Sequence, residues 1–372
     1  MYYLKDGLGA KKGMKQVGKV LAVLFSLFTL LASFGIGAMG QINKIVVNIE
    51  SAFPVQALAN VQLYEGVTLY SLIIGLALVA LAAAITMGGL KRVASFAEKV
   101  VPFMVVLFVA GSLVIIAVNW AAVLPAFKAI FVTAFKPSAA VGGAAGFAIR
   151  QVMVQGFKRG VFSNEAGLGS SVMVHSNSDV KEPVKQGMWG IFEVFADTFV
   201  VCTMTALVVL TSGYIDLETG LVKEGVDDAT LVAKAFSNVF GIGGEWFIAV
   251  AILLFAFTTV LGWSHYGSKA IEYLFGSVGT IAAKVYKVIF VIMIIFGAVM
   301  ESSLAWDISD TFNGLMMIPN LIGVVSLCPL VMKLTDNYVA RRIKNKEGVK
   351  PMLSYDEKIQ KEHEKLVEQG AE

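Results

Sequence analysis

Charge, sulfur and imidazole are all scarce in this sequence. Only 15% of its 372 residues are Asp, Glu, Lys or Arg, two are cysteine and three are histidine. With so little charge, 57% apolar residues and a mean hydropathy of +0.74, the chain cannot maintain a water-soluble surface. Cys202 and Cys328 both fall in apolar runs, so neither a disulfide framework nor a thiolate metal site is available. His175, His265 and His363 are scattered and complete no catalytic constellation, so the chain does not read as an enzyme. The charge rings or repeated filter of a channel are also missing.

What is present is a series of long uncharged runs. Val20–Asn43, Gly66–Leu90, Val100–Phe127, Trp246–Ser268 and Thr311–Met332 each reach or exceed the roughly 20 residues that cross a bilayer core. Thr198–Ile215 and Val288–Met300 are shorter but extend past isolated charges, giving seven spans. An eighth candidate, Ser138–Val174, is rich in Gly and Ala and carries Arg150, Lys158, Arg159 and Glu165. The expected fold class is all-α and membrane-spanning, with about eight transmembrane helices. The membrane domain is expected over residues 1–332 and a charged cytoplasmic tail over 333–372.

Basic residues set the orientation. The lead-in to Lys19, the loops around Lys91, Lys181 and Lys269, and the tail from Lys333 hold 22 of the 30 Lys and Arg, against five on the opposite side. Both termini are therefore expected in the cytoplasm, and lipid is an expected partner. The net charge of +3 follows from this asymmetry, so no nucleic-acid partner is expected. The lead-in Met1–Val17 reads as a basic arm without a cleavable signal peptide. Gly88–Met104 reads as an interfacial connector with Pro102 opening the third span, and Thr211–Gly244 as a solvated acidic segment. Ser354 and Glu357 have capping-box spacing ahead of a short helix, Tyr355–Glu368.

The stretch Lys158–Ser171, KRGVFSNEAGLGSS, combines three glycines with Ser163, Asn164 and Glu165, a composition that interrupts a helix. A break at membrane depth frees backbone groups, tolerated only where they line a cavity or are satisfied by protein. It reads either as a binding site in which a half-helix N-terminus meets a carboxylate, or as a tight cytoplasmic loop with a glycine turn. Glu165 is either functional or an ion pair with Arg159. Gln41, an amide inside the first span, either contacts a ligand or joins two helices.

Four stretches carry a resemblance: FGIGAMGQIN from Phe34, GGLKRVASFAEKVVPFM from Gly88, RGVFSNEAGLGSS from Arg159 and FAFTTVLGWSHYGSKAIEYLFG from Phe255. A fifth, Gln186–Gly213, matches with less functional content. Together they resemble the alanine or glycine:cation symporters of the amino acid-polyamine-cation superfamily. The resemblance implies a leucine-transporter-type fold of two inverted five-helix repeats, here partial and corresponding to core helices three to ten. It also implies sodium-coupled uptake of alanine or glycine by alternating access across the cytoplasmic membrane. Because core helices one and two have no match, the alternative is a non-transporting, N-terminally truncated product.

On the same footing, Phe162, Ser163, Asn164 and Gly167 would contact the amino acid in the unwound part of core helix six. Gln41 would hydrogen-bond it, and Trp263 would form the wall that excludes larger side chains, unless Trp263 is an interfacial anchor. Thr258 and Thr259 would coordinate sodium, the coupling ion, or else bond only their own helix backbone. His265 stands where the family carries tyrosine and receives no role.

Overall fold

The computed structural model describes residues 1–64, 66–135, 145–226, 229–354, 359–361 and 364. The helices in chain order are α1 (Lys15–Ala32), α2 (Gln41–Ala52), α3 (Gln56–Ala59), α4 (Leu69–Thr86), α5 (Leu90–Val118), α6 (Trp120–Phe135) and α7 (Ala145–Asn164). They continue as α8 (Val172–His175), α9 (Pro183–Phe195), α10 (Cys202–Thr211), α11 (Leu231–Phe240), α12 (Ile242–Phe275), α13 (Gly279–Val299) and α14 (Ser302–Tyr338). Among the described residues, four π-helical turns, at Tyr3–Leu8, Ser33–Gly40, Ala196–Val201 and Val339–Ile343, adjoin these helices. A two-stranded antiparallel ribbon, β1 (Gln62–Tyr64) and β2 (Val67–Thr68), precedes α4.

Six described stretches are long and apolar enough to cross a membrane: Lys15–Ala52, Leu69–Thr86, Lys91–Val118, Pro183–Thr211, Ile242–Val299 and Ser302–Ile343. Ile242–Val299 holds two helices, α12 and α13, joined at Gly276, whose φ of +52° suits glycine. These account for the seven expected spans. The eighth candidate contains α7, which is 20 residues long but not among the six apolar stretches.

The first span is continuous because α1 and α2 are joined through the π turn Ser33–Gly40 rather than through a loop. Its small residues allow close approach: a Cβ on Gly37 would lie 2.4 Å from Cβ of Trp263. At the centre stands α12, 34 residues long, whose side chains enter all three hydrophobic clusters. It meets α2, α4 and α13 through Phe257, Val260 and Leu261. It meets α1 and α14 through Trp263 and Tyr266, and α5 and α11 through Ile248. In a bilayer, such contacts are held by close packing rather than by exclusion of water.

Four local expectations are corrected. Gly88–Met104 is not a separate connector: α5 runs unbroken from Leu90 to Val118 with Pro102 inside it. The lead-in is not simply a basic arm, since Leu4 and Leu8 are fully buried and Tyr3 donates its hydroxyl to Asn320 Oδ1 of α14 at 2.5 Å. The acidic segment is not wholly solvated, since its last third forms α11, whose Leu231, Ala233, Ala235 and Phe236 are buried. Amphipathic periodicity outweighs the acidic composition there. The break is followed directly by a single turn, α8, rather than by a long half-helix, before the chain enters α9. Asp227 and Asp228, Glu357 of the capping box and most of Tyr355–Glu368 lie outside the described residues.

Glu182, between α8 and α9, is hydrogen-bonded by Arg341 at 2.5 Å and by Arg342 at 2.9 Å. The α8–α9 connection and the C-terminal end of α14 therefore lie at one end of the bundle.

Candidate functional site

The break begins where sequence chemistry stops α7. Asn164 Oδ1 accepts a hydrogen bond from the backbone N–H of Ala166 at 2.9 Å, an Asx turn that competes with the next helical turn. Glu165, Gly167 and Gly169 then take φ values of +54°, +99° and +82°. A Cβ on Gly169 would also lie 2.5 Å from Oδ1 of Asn320, so strain and space both require glycine. Asn320 fixes the turn from α14 by donating to the carbonyl of Gly167 at 2.7 Å.

The break faces a cleft of about 400 Å³. Ser163, Asn164, Glu165 and Ser171 line one wall, Thr258, Thr259, Gly262, Trp263 and Tyr266 of α12 line another, and Glu193 and Asp197 close the third. Ala97 and Val101 of α5 complete it. Ser163 donates to Asp197 Oδ2 at 2.7 Å, and Asn164 Nδ2 donates to Thr198 Oγ1 at 3.0 Å, tying the break to the π turn Ala196–Val201. Ser170, fully buried, donates to Glu165 Oε2 at 2.6 Å.

Trp263 is 1% exposed and stands edge-on to Tyr266, with ring centroids 5.3 Å apart. That burial removes the interfacial-anchor alternative. Its indole N–H has no partner within hydrogen-bond geometry and lies beside the Glu165 carboxylate. Glu165 is not paired with Arg159, because Arg159 reaches Asp310 Oδ2 of α14 at 2.5 Å, with Lys158 at 3.4 Å.

A second cavity of about 490 Å³ shares Val101, Thr258 and Thr259 with the first and is lined further by Gln41, Lys44 and Asn48. Both threonine hydroxyls donate to the carbonyl of Phe255, at 2.8 and 3.1 Å. Their protons are thus committed to their own helix, and their oxygen lone pairs remain as acceptors on the wall between the cavities.

Of the expected contacts, Ser163, Asn164, Trp263, Thr258 and Thr259 line the first cleft, while Gln41 lines only the second. Phe162 and Gly167 line neither. A helix advances about 100° per residue, so Phe162 points away from the face of Ser163 and packs on Trp306 at 5.0 Å. Gly167 is needed for its backbone conformation, and the glycine packed against the tryptophan is Gly37. Sequence reasoning missed Glu193 and Asp197. Their signal was available: two carboxylates four residues apart on one helical face of an otherwise apolar span.

A family model described as the sodium:alanine symporter family matches residues 1–352. The chain belongs to that family. Its activity is accordingly sodium-coupled symport of alanine or glycine across a membrane, not enzymatic catalysis. The chain is 38% identical to "Sodium/alanine symporter AgcS" of Methanococcus maripaludis over 90% of its own length and 68% of the relative's. An uncharacterized transporter of Haemophilus influenzae is 37% identical over 92% of the chain and 68% of the relative. "Putative sodium/proton-dependent alanine carrier protein YrbD" of Bacillus subtilis is 31% identical over 95% of the chain and 68% of the relative. The comparisons lend no support to the reading of a non-transporting product.

Proposed function

We propose that alanine or glycine binds in the cleft between the α7 break and α12. The observation that carries this reading is the meeting, at one cavity, of a glycine-shaped break and a fully buried tryptophan on an unbroken helix. The ammonium group is drawn to the wall of Glu165, Glu193 and Asp197, and the small side chain faces Trp263. Selectivity for a small amino acid then follows from exclusion, with the indole as the wall against which a longer side chain would have to fit.

Sodium, a hard cation that takes oxygen ligands, is assigned to the hydroxyl oxygens of Thr258 and Thr259, with the cleft carboxylates supplying charge. Gln41 acts from the second cavity, on the far side of the threonine pair. Transport proceeds by alternating access, with the rigid α12 as one wall and the α7 break as the wall that rearranges. The protein is oriented in the cell membrane with both termini cytoplasmic, which places the α8–α9 connection on the cytoplasmic side.

The test is Trp263→Leu in proteoliposomes with an inward sodium gradient. The variant is expected to lose alanine affinity by about 1–3 kcal/mol and to accept larger amino acids. An unchanged affinity and substrate range would remove Trp263 from the site.

A further inference from the structure

The cleft ends, on the side of the α8–α9 connection, in a hydrogen-bonded chain that the transport of alanine does not itself require. His175 closes α8. Its Nε2 lies 3.1 Å from Glu193 Oε2, and its Nδ1 lies 2.7 Å from Gln186 Nε2. Gln186 and Glu193 sit seven residues apart on one face of α9, and Glu193 also lines the cleft. The chain thus joins His175, which lies outside the six apolar stretches, to two residues of the Pro183–Thr211 stretch, one of which lines the cavity wall.

The donor pattern fixes the neutral ring. An ionised carboxylate only accepts, so Nε2 carries the hydrogen and donates to Glu193, while Nδ1 accepts from the Gln186 amide. Adding a proton at Nδ1 requires only that the Gln186 amide turn over and present its oxygen. The hydrogen bond to Glu193 then becomes an ion pair between α8, just after the break, and α9. No covalent bond changes: one proton moves from solvent to Nδ1. The titratable groups facing the pair are Glu165 across the cleft and Tyr266 of α12, with Asp197 one turn further along Glu193's own wall. Among the described residues, the Lys and Arg side chains that form ion pairs are engaged by Asp310, Glu245, Glu272 and Glu182, so none is paired with Glu193.

We propose that His175 and Glu193 form a proton-binding site at the inner edge of the cleft, through which proton concentration on that side controls its opening. This rests on the cleft being the transport route. A protonated ring joins the segment after the break to α9, so protons favour the closed edge. His175 acts as a positioning residue and does not touch the amino acid.

The experiment is initial alanine uptake into proteoliposomes at a fixed inward sodium gradient, with both sides buffered at pH 8 or pH 6. Wild-type uptake is expected to fall about two- to fivefold at pH 6, the factor that an exposed ion pair commands. His175→Gln keeps the hydrogen bonding but takes up no proton, so it should show the pH 8 rate at both values. A wild-type pH profile in His175→Gln overturns the proposal. If that variant does not carry alanine, alkylation of Cys202, whose thiol is 3.3 Å from Ser163 Oγ, reports cleft opening in a Cys328→Ser background. The pH 6 to pH 8 rate ratio should then shift two- to fivefold from that of the parent protein, and Glu193→Gln should shift it likewise. An identical ratio in both variants overturns the proposal. Unchanged alanine affinity and substrate range in Trp263→Leu would refute the cleft reading, while the pH profile of His175→Gln and the alkylation ratio still report on the proton site.

Discussion

The two principal walls of the cleft are built in opposite ways. Over Ser163–Ser171 the backbone turns through three positive φ values and is held by side chains borrowed from other helices. Across from it, α12 runs 34 residues without interruption, and even its threonine hydroxyls bond back to their own helix. A wall with few backbone bonds of its own can rearrange at small cost, whereas an intact helix moves only as a body. The difference assigns conformational change to the break and fixed side-chain selection to α12.

A pair of glycines, one in each wall, tests that contrast. Gly169→Ala forces a methyl group into a left-handed turn and against Asn320. The expected loss is about 2–4 kcal/mol, the sum of strain and overpacking, read as a lowered melting temperature in detergent. Gly262→Ala meets nothing within 4 Å and sits in regular helix, so stability should be unchanged or up to about 1 kcal/mol higher. Because Gly262 lines the cleft, alanine uptake should nevertheless fall. Equal destabilisation by the two substitutions would erase the distinction between the walls.

These walls were unequally legible in the sequence. The break could be read from composition, because Gly160, Gly167 and Gly169 with Ser163, Asn164 and Glu165 oppose a helix by elementary propensity. Nothing in the apolar run of α12 marks Trp263 as buried rather than interfacial. That depends on Gly37, some 220 residues away, leaving space for it. Phe162 does not line the cleft for a related reason: proximity along the chain does not say which face of a helix a residue occupies. Glu193 was readable as an intramembrane carboxylate, but its partner His175 only becomes apparent once α8 and α9 are packed together.

The smallest expected effect lies away from the cleft, at the end of the bundle. Burial alone would raise the Glu182 carboxyl, but hydrogen bonds from Arg341 and Arg342, with their charge, outweigh it and hold it below the usual glutamate range. A depressed carboxyl contributes stability that is present above the unfolded value, roughly pH 4.3, and lost as pH falls through the folded value. Acidification below about pH 4 should therefore destabilise wild type more than Glu182→Gln, which has nothing to protonate. Parallel pH–stability curves for the two proteins would show that the arginine clamp contributes no linkage.

The central claim, that substrate occupies the cleft between the break and α12, is tested most directly by substrate protection of Cys202. Its thiol sits 3.3 Å from Ser163 Oγ, beside the proposed amino-acid position. In a Cys328→Ser background, alanine with sodium should slow alkylation of Cys202 at least several-fold, and alanine without sodium should protect much less. An alkylation rate that is the same with and without alanine, at saturating sodium, would contradict the account.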